Sequence, residues 1–207
     1  GTDLANLFIG SDEFKNSNVS NEEYVATLYR TILGREPEEG GFEYWCGVLD
    51  SGISRYKVFS QIAASGEYKD ICDEYGMKQG SAALTSYRDQ NDGVTKFIYR
   101  MYMTALDRAG EDDGMEFWAE NVVTGKLSLE GLARNFVFSK EMNDKNLSDE
   151  DFVKVLYKSC FDREPDAEGF AFWVESLSSK RITREDALRG FADSNEFATL
   201  KAKFGLN

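Results

Sequence analysis

Apolar residues recur at helical spacing in three places along the chain. Tyr24, Val25, Leu28, Tyr29, Ile32 and Leu33 form a stripe two residues wide, the pattern of a helix that buries one face. The stripe returns at Phe97, Ile98, Met101, Tyr102, Ala105 and Leu106, and again at Phe152, Val153, Leu156, Tyr157, Cys160 and Phe161. An offset of 73 carries the first stripe onto the second, and 128 carries it onto the third. Self-similarity at fixed offsets is the mark of a repeat protein. The pattern predicts an all-α chain.

The residues after each stripe predict the rest of the unit. Gly34-Arg35-Glu36-Pro37 stops the first helix, since glycine suits a C-terminal cap and proline cannot continue the turn. A second helix runs through Trp45 to about Leu49. A Ser-Gly turn leads to a third helix, opened by Ser54, Ser128 or Thr183 and ending near Ile62, Phe136 or Phe191. Ser65, Ser139 and Ser194 then cap a short fourth helix that starts with Glu67, Glu141 or Glu196. Ser20 with Glu23, and Ser148 with Asp151, read as N-caps of the first helix with an acidic third position. Four columns hold throughout: Tyr29, Tyr102, Tyr157; Arg35, Arg108, Arg163; Gly41, Gly114, Gly169; and Trp45, Trp118, Trp173, which are all the tryptophans of the chain.

The expected organisation is a tail of a partial repeat over 1–19, repeat one over 20–77, an inserted segment over 78–93, repeat two over 94–146 and repeat three over 147–207. The opening string Phe8-Ile9-Gly10-Ser11-Asp12-Glu13-Phe14 matches the end of a unit whose front is missing. A longer array, from which the chain was cut or from which it evolved, is therefore expected. Within the insertion, Ala83, Leu84 and Tyr87 have helical spacing and predict an added helix over 80–90. A unit of about 55 residues buries a modest core alone, so the units of about four helices are expected to pack on one another.

Composition narrows the function. Net charge is −13, with 24 basic against 37 acidic residues. Binding to nucleic-acid phosphate needs clustered Lys and Arg, and none cluster here, so no nucleic-acid partner is expected. No apolar run approaches the ~18 residues that would span a bilayer, and residues 1–20 show no signal-peptide pattern. Histidine is absent, which removes His-based acid–base catalysis and His-ligated zinc. No phosphate loop or nucleotide fingerprint occurs, and no cofactor is expected. Cys46, Cys72 and Cys160 read as small buried hydrophobes, Cys160 replacing Ile32 on the buried stripe. A Cys46–Cys72 bridge is the alternative.

The repeated columns read as folding devices first. Arg35, Arg108 and Arg163 with Glu67, Glu141 and Glu196 suit structural ion pairs, because the arginine fork makes several directed bonds. Trp45, Trp118 and Trp173 share a face with positions one turn away and are expected to be buried. Tyr44, Phe117 and Phe172 point elsewhere, where they would pack on the next unit or, with Tyr87 of the insertion, serve as weak candidates for contact with a partner. The acidic loop of repeat two, Glu111-Asp112-Asp113, is a weak candidate for calcium; acids in a first helical turn are also expected on dipole grounds. Asn18 and Asn146 each open a glycosylation-type triplet.

The strings Leu28-Tyr29-Arg30-x-x-Leu33-Gly34-Arg35-Glu36-Pro37 and Asp162-Arg163-Glu164-Pro165-Asp166-x-x-Gly169-Phe170-x-x-Trp173, with the Ser-x-Glu-Phe ending, resemble the bacterial domain-of-unknown-function 4214 family. Repeat two departs from the pattern with Ala109-Gly110 in place of Glu-Pro. The resemblance implies all-helical modules of secreted or surface proteins with no settled activity. A fainter similarity is to the helical linker domain of phycobilisomes, a scaffold. The expected role is a non-catalytic interaction module, secreted or at the cell surface, that binds protein or glycan. A structural spacer in a longer array is the alternative. A glycan-active enzyme using acids of repeat two would need two facing carboxylates with raised pKa.

Overall fold

The computed structural model describes residues 19–206, so the partial copy at 8–14 and Asn18 lie outside the described residues. The chain divides into two compact units, Gly1–Gln90 and Asn91–Asn207. Among the described residues the regular elements are all helical. The first unit holds α1 (Asn21–Leu28), α2 (Glu39–Asp50), α3 (Arg55–Ala63), α4 (Gly66–Glu74) and the single turn α5 (Tyr87–Gln90). In the second unit, repeat two supplies α6 (Asp92–Met101), α7 (Asp112–Val123), α8 (Leu129–Val137) and α9 (Lys140–Asp144). Repeat three supplies α10 (Asp149–Leu156), α11 (Ala167–Ser178), α12 (Arg184–Ala192) and α13 (Asn195–Lys203).

Local chemistry sets the boundaries. The hydroxyls of Ser20 and Ser148 accept the backbone N–H three residues on, and Ser54, Ser128 and Thr183 do the same for the third helices. Ser65, Ser139 and Ser194 cap the fourth. Each such bond satisfies an N–H that the helix cannot. The first helix of every repeat ends in a π-helical turn that begins at the repeated tyrosine: Tyr29–Leu33, Tyr102–Leu106 and Tyr157–Phe161. The next residue is left-handed, with φ of 66° at Gly34 and 59° at both Asp107 and Asp162. Glycine at one of these positions was readable as a cap; the aspartates take the same conformation because their short polar side chains tolerate it.

In the first unit the core gathers Tyr24, Val25 and Leu28 of α1 with Val58, Phe59 and Ile62 of α3 and Cys72 of α4. Cys46, Cys72 and Cys160 are buried free thiols, which corrects the disulfide alternative. Burial pushes the Cys160 thiol up to about 12, in keeping with its place on the apolar stripe.

The insertion differs from its reading. Residues 77–85 carry no helix, and only Tyr87–Gln90 makes a turn. The reason lies in α3. Ser60 Oγ donates to the Ala82 carbonyl at 2.9 Å and Tyr56 Oη to the Ala83 carbonyl at 3.3 Å. Gln79 donates to the carbonyls of Ala63 and Ser65 at 3.0 and 2.9 Å. Bonds to another helix replace the ladder that a local helix would have made. The chain divides after Gln90, so most of this segment belongs with repeat one as a strap across α3.

Repeats two and three share one core in the second unit. The two π-turns pack on each other, as do α8 and α12. Ser159 Oγ lies 3.2 Å from Thr104 Oγ1. These residues occupy the same column of their repeats, so the pairing has the form of an internal two-fold. Arg134 of α8 meets Glu185 of α12 at 2.7 Å, and Lys201 of α13 meets Glu130 of α8 at 2.5 Å.

The turn between second and third helices places Gly52, Gly125 and Lys180 at φ of 89°, 71° and 57°. Lysine pays there for a side chain that glycine lacks. Lys180→Gly should therefore stabilise the chain by about 0.5–1 kcal/mol, net of the entropy glycine adds to the unfolded state. Urea unfolding measures this, and an unchanged or lower midpoint would count against the left-handed turn.

Candidate functional site

Each repeat builds the same arrangement around the start of its second helix. The repeated arginine leaves the π-turn and lies over the repeated tyrosine, with its guanidinium carbon 5.0, 5.2 and 4.9 Å from the rings of Tyr29, Tyr102 and Tyr157. Its fork reaches the glutamate of the fourth helix. Arg35 donates to Glu67 at 2.5 and 2.9 Å, Arg108 to Glu141 at 3.0 Å through both Nε and Nη2, and Arg163 to Glu196 at 2.6 and 3.2 Å. The remaining nitrogen binds the carboxylate that opens the second helix: Glu38 at 2.6 Å, Glu111 at 2.9 Å and Asp166 at 3.2 Å. One cation thus ties three helix ends, as the planar fork allows.

The tyrosine hydroxyl explains the glycine column. A Cβ built on Gly41 or Gly114 would lie 2.6 Å from the hydroxyl of Tyr29 or Tyr102, and one on Gly169 would overlap that of Tyr157. Burial pushes all three tyrosine hydroxyls up.

The tryptophans are half-buried rather than fully buried. Trp118 packs on Phe136 of α8 with centroids 5.4 Å apart, and Trp173 on Phe191 of α12 at 5.0 Å. Their other side is flanked by the neighbouring ring of the same helix. Tyr44–Trp45, Phe117–Trp118 and Phe172–Trp173 meet edge to face at 4.9, 5.0 and 5.2 Å. Tyr44, Phe117 and Phe172 are themselves 61%, 54% and 56% exposed. The sequence singled out this column, and it stands in solvent in all three repeats. Tyr87 is exposed too, on the strap. What the sequence did not yield is the layered order of repeats two and three: exposed ring, tryptophan, third-helix ring, tyrosine, arginine, with Ile62 standing in the ring's place in repeat one.

The calcium reading loses a ligand, since Glu111 is held by Arg108 while Asp112 and Asp113 sit in the first turn of α7. Among the described residues no group of three or more acids or cysteines is placed to hold a metal ion. No helix among them is long and apolar enough to cross a membrane.

Fold and site together define an all-helical protein of tandem repeats, each unit closed by the same arginine fork. The model of the family described as "Domain of unknown function (DUF4214)" matches residues 5–72, 80–143 and 133–201. The chain belongs to that family. No curated protein and no solved structure matches it.

Two predictions follow from this geometry. Gly114→Ala should destabilise the second unit by about 1–3 kcal/mol through overpacking against Tyr102. Adding Tyr102→Phe, which removes the opposing oxygen, should recover part of that loss in a urea double-mutant cycle; strictly additive effects would contradict the close approach. The second concerns pH. Arg35 holds Glu67 and Glu38 below the usual carboxylate range, and Arg108 does so for Glu141. A carboxylate with a depressed folded pKa adds stability above its unfolded pKa and loses it as pH falls through the folded one. The thermal midpoint should hold down to about pH 5 and fall below about pH 4, where free carboxylates titrate. A midpoint that rises on acidification would refute this.

Proposed function

We propose that the chain is a non-catalytic interaction module that binds a protein or glycan partner through the exposed ring of the second helix. One observation carries this reading: in three repeats a large aromatic side chain stands more than half exposed against a tryptophan that the rest of the unit holds in place. An exposed ring of this size gains little for folding, and any polar residue would serve there as well. A ring braced edge to face by a fixed neighbour offers a flat apolar surface with little rotamer entropy left to lose on binding. Stacking on the CH face of a sugar, or burial under an apolar side chain of a protein, uses such a surface directly.

The absence of histidine supports a role without acid–base chemistry near neutral pH. So does the state of the acids in repeat two. Glu111 and Glu141 are held low, the opposite of the raised pKa that a general acid of a glycosidase needs. The expected setting remains a secreted or surface-attached protein. A structural spacer is the second reading, favoured by the fact that the Arg, Glu, Tyr and Gly columns are all consumed in closing each unit.

The test is a triple variant, Tyr44→Ala with Phe117→Ala and Phe172→Ala, probed against an oligosaccharide array and a surface-displayed peptide library. Each exposed truncation should change stability by no more than about 0.5 kcal/mol. Binding seen with the parent chain should fall at least about tenfold, equivalent to ~1.4 kcal/mol. A parent that binds nothing in either format favours the spacer; binding that survives all three truncations removes the ring from the site.

A further inference from the structure

The strap over α3 lies on the columns through which the other two repeats pair. In the second unit the pairing of α8 with α12 uses Arg134 and Glu185, and Glu130 of α8 takes Lys201. At the offsets of the third helices, Glu130 and Glu185 correspond to Tyr56 of repeat one, and Arg134 corresponds to Ser60. Tyr56 and Ser60 are the residues that hold the strap, by donating to the carbonyls of Ala83 and Ala82. Lys57 between them is buried and donates to the Asp89 carbonyl at 2.5 Å, while Ser54 donates to the Asp89 carboxylate at 2.5 Å.

The strap is also built like the end of a repeat. Ser86 accepts the N–H of Asp89 at 3.2 Å and starts the single turn α5, as Ser139 accepts that of Met142 at 3.1 Å and starts α9. The second family match opens at residue 80 and the third at 133, each ahead of the first helix of its own repeat. In the second match the strap fills the place that α9 and the end of α8 fill in the third. A vestige of a repeat end thus covers the face on which a neighbouring repeat would sit.

We infer that the outer face of α3 is a repeat-pairing surface held closed by the strap, and that its partner once uncovered is the same face of a second copy of this chain. Charge selects that partner. In repeats two and three the two pairing columns carry Glu and Arg, and these match each other. In repeat one the same columns are the uncharged Tyr56 and Ser60, which oppose no charge on an identical face and satisfy none on the other repeats. A closed two-fold between copies would repeat the internal two-fold of the second unit. Covering such a face within the chain keeps the protein from self-association, as terminal caps do in repeat proteins.

The experiment lifts the strap without touching α3. Gln79→Ala with Ala82→Glu removes two side-chain bonds and forces a charge under the strap, where Ala82 packs on the core. Light scattering on the full chain should show the apparent mass doubling relative to the parent in a concentration-dependent way. Adding Ser60→Glu, which would press an unpaired charge against Tyr56 of the second copy, should return it to the parent's mass. A lifted chain that keeps the parent's mass, or a dimer indifferent to Ser60→Glu, overturns the inference. Hydrogen exchange on the parent chain gives an independent reading that no folding defect can obscure. Amides of 78–86 should open before those of α3; opening only together with α3 would also overturn it.

Discussion

The structure depends on where one guanidinium puts its nitrogens. In each repeat the arginine that follows the first helix lies on a tyrosine ring and holds two carboxylates, one opening the second helix and one opening the fourth. Helix ends are poor at specifying their neighbours, because their unsatisfied groups accept water as readily as protein. A forked cation that reaches two helix starts from a third helix end turns three loose junctions into one fixed corner. Lysine could not do this, having a single point charge. The corner then fixes the tyrosine, the tyrosine hydroxyl demands glycine on the second helix, and the glycine lets that helix come close enough for its tryptophan to reach the third.

Much of this was legible in the chain. The helical stripes, the serine caps and the glycine stop have local causes, so period and spacing reveal them. The structural reading of Arg35 with Glu67, and of its two counterparts, followed from opposite charges recurring in step. Cys160 was placed in the core because its column is apolar in the other repeats. That Tyr44, Phe117 and Phe172 point away from the tryptophans followed from their angular offset on one helix; that they stand in solvent rather than against a neighbouring unit did not.

The rest was hidden because it is decided at a distance. Ala83, Leu84 and Tyr87 have the spacing of a helix, yet hydroxyls on α3 donate to the carbonyls of Ala82 and Ala83, and residues 77–85 stay non-helical. Tertiary hydrogen bonds overrode a weak local pattern. The π-turn at Tyr29, Tyr102 and Tyr157 adds a residue per turn without any marker in composition. The tryptophans were expected to be buried, but an indole spans both the packed and the open side of a helix, so part of each remains outside. The Gly41 column was seen as a repeat and not as a steric requirement, since nothing in the sequence says which hydroxyl will arrive there.

What distinguishes the repeats from one another is how each closes its pairing face: two by meeting, one by a strap. Their common corner is the claim on which everything else rests, and a double-mutant cycle at Arg108 and Glu141 tests it most directly. Urea unfolding of Arg108→Met, Glu141→Leu and the pair together should show each single change lowering the midpoint, with the pair falling little further than the worse single change. Midpoint losses that simply add would mean that the two side chains act independently, and the corner would not be what holds the unit closed.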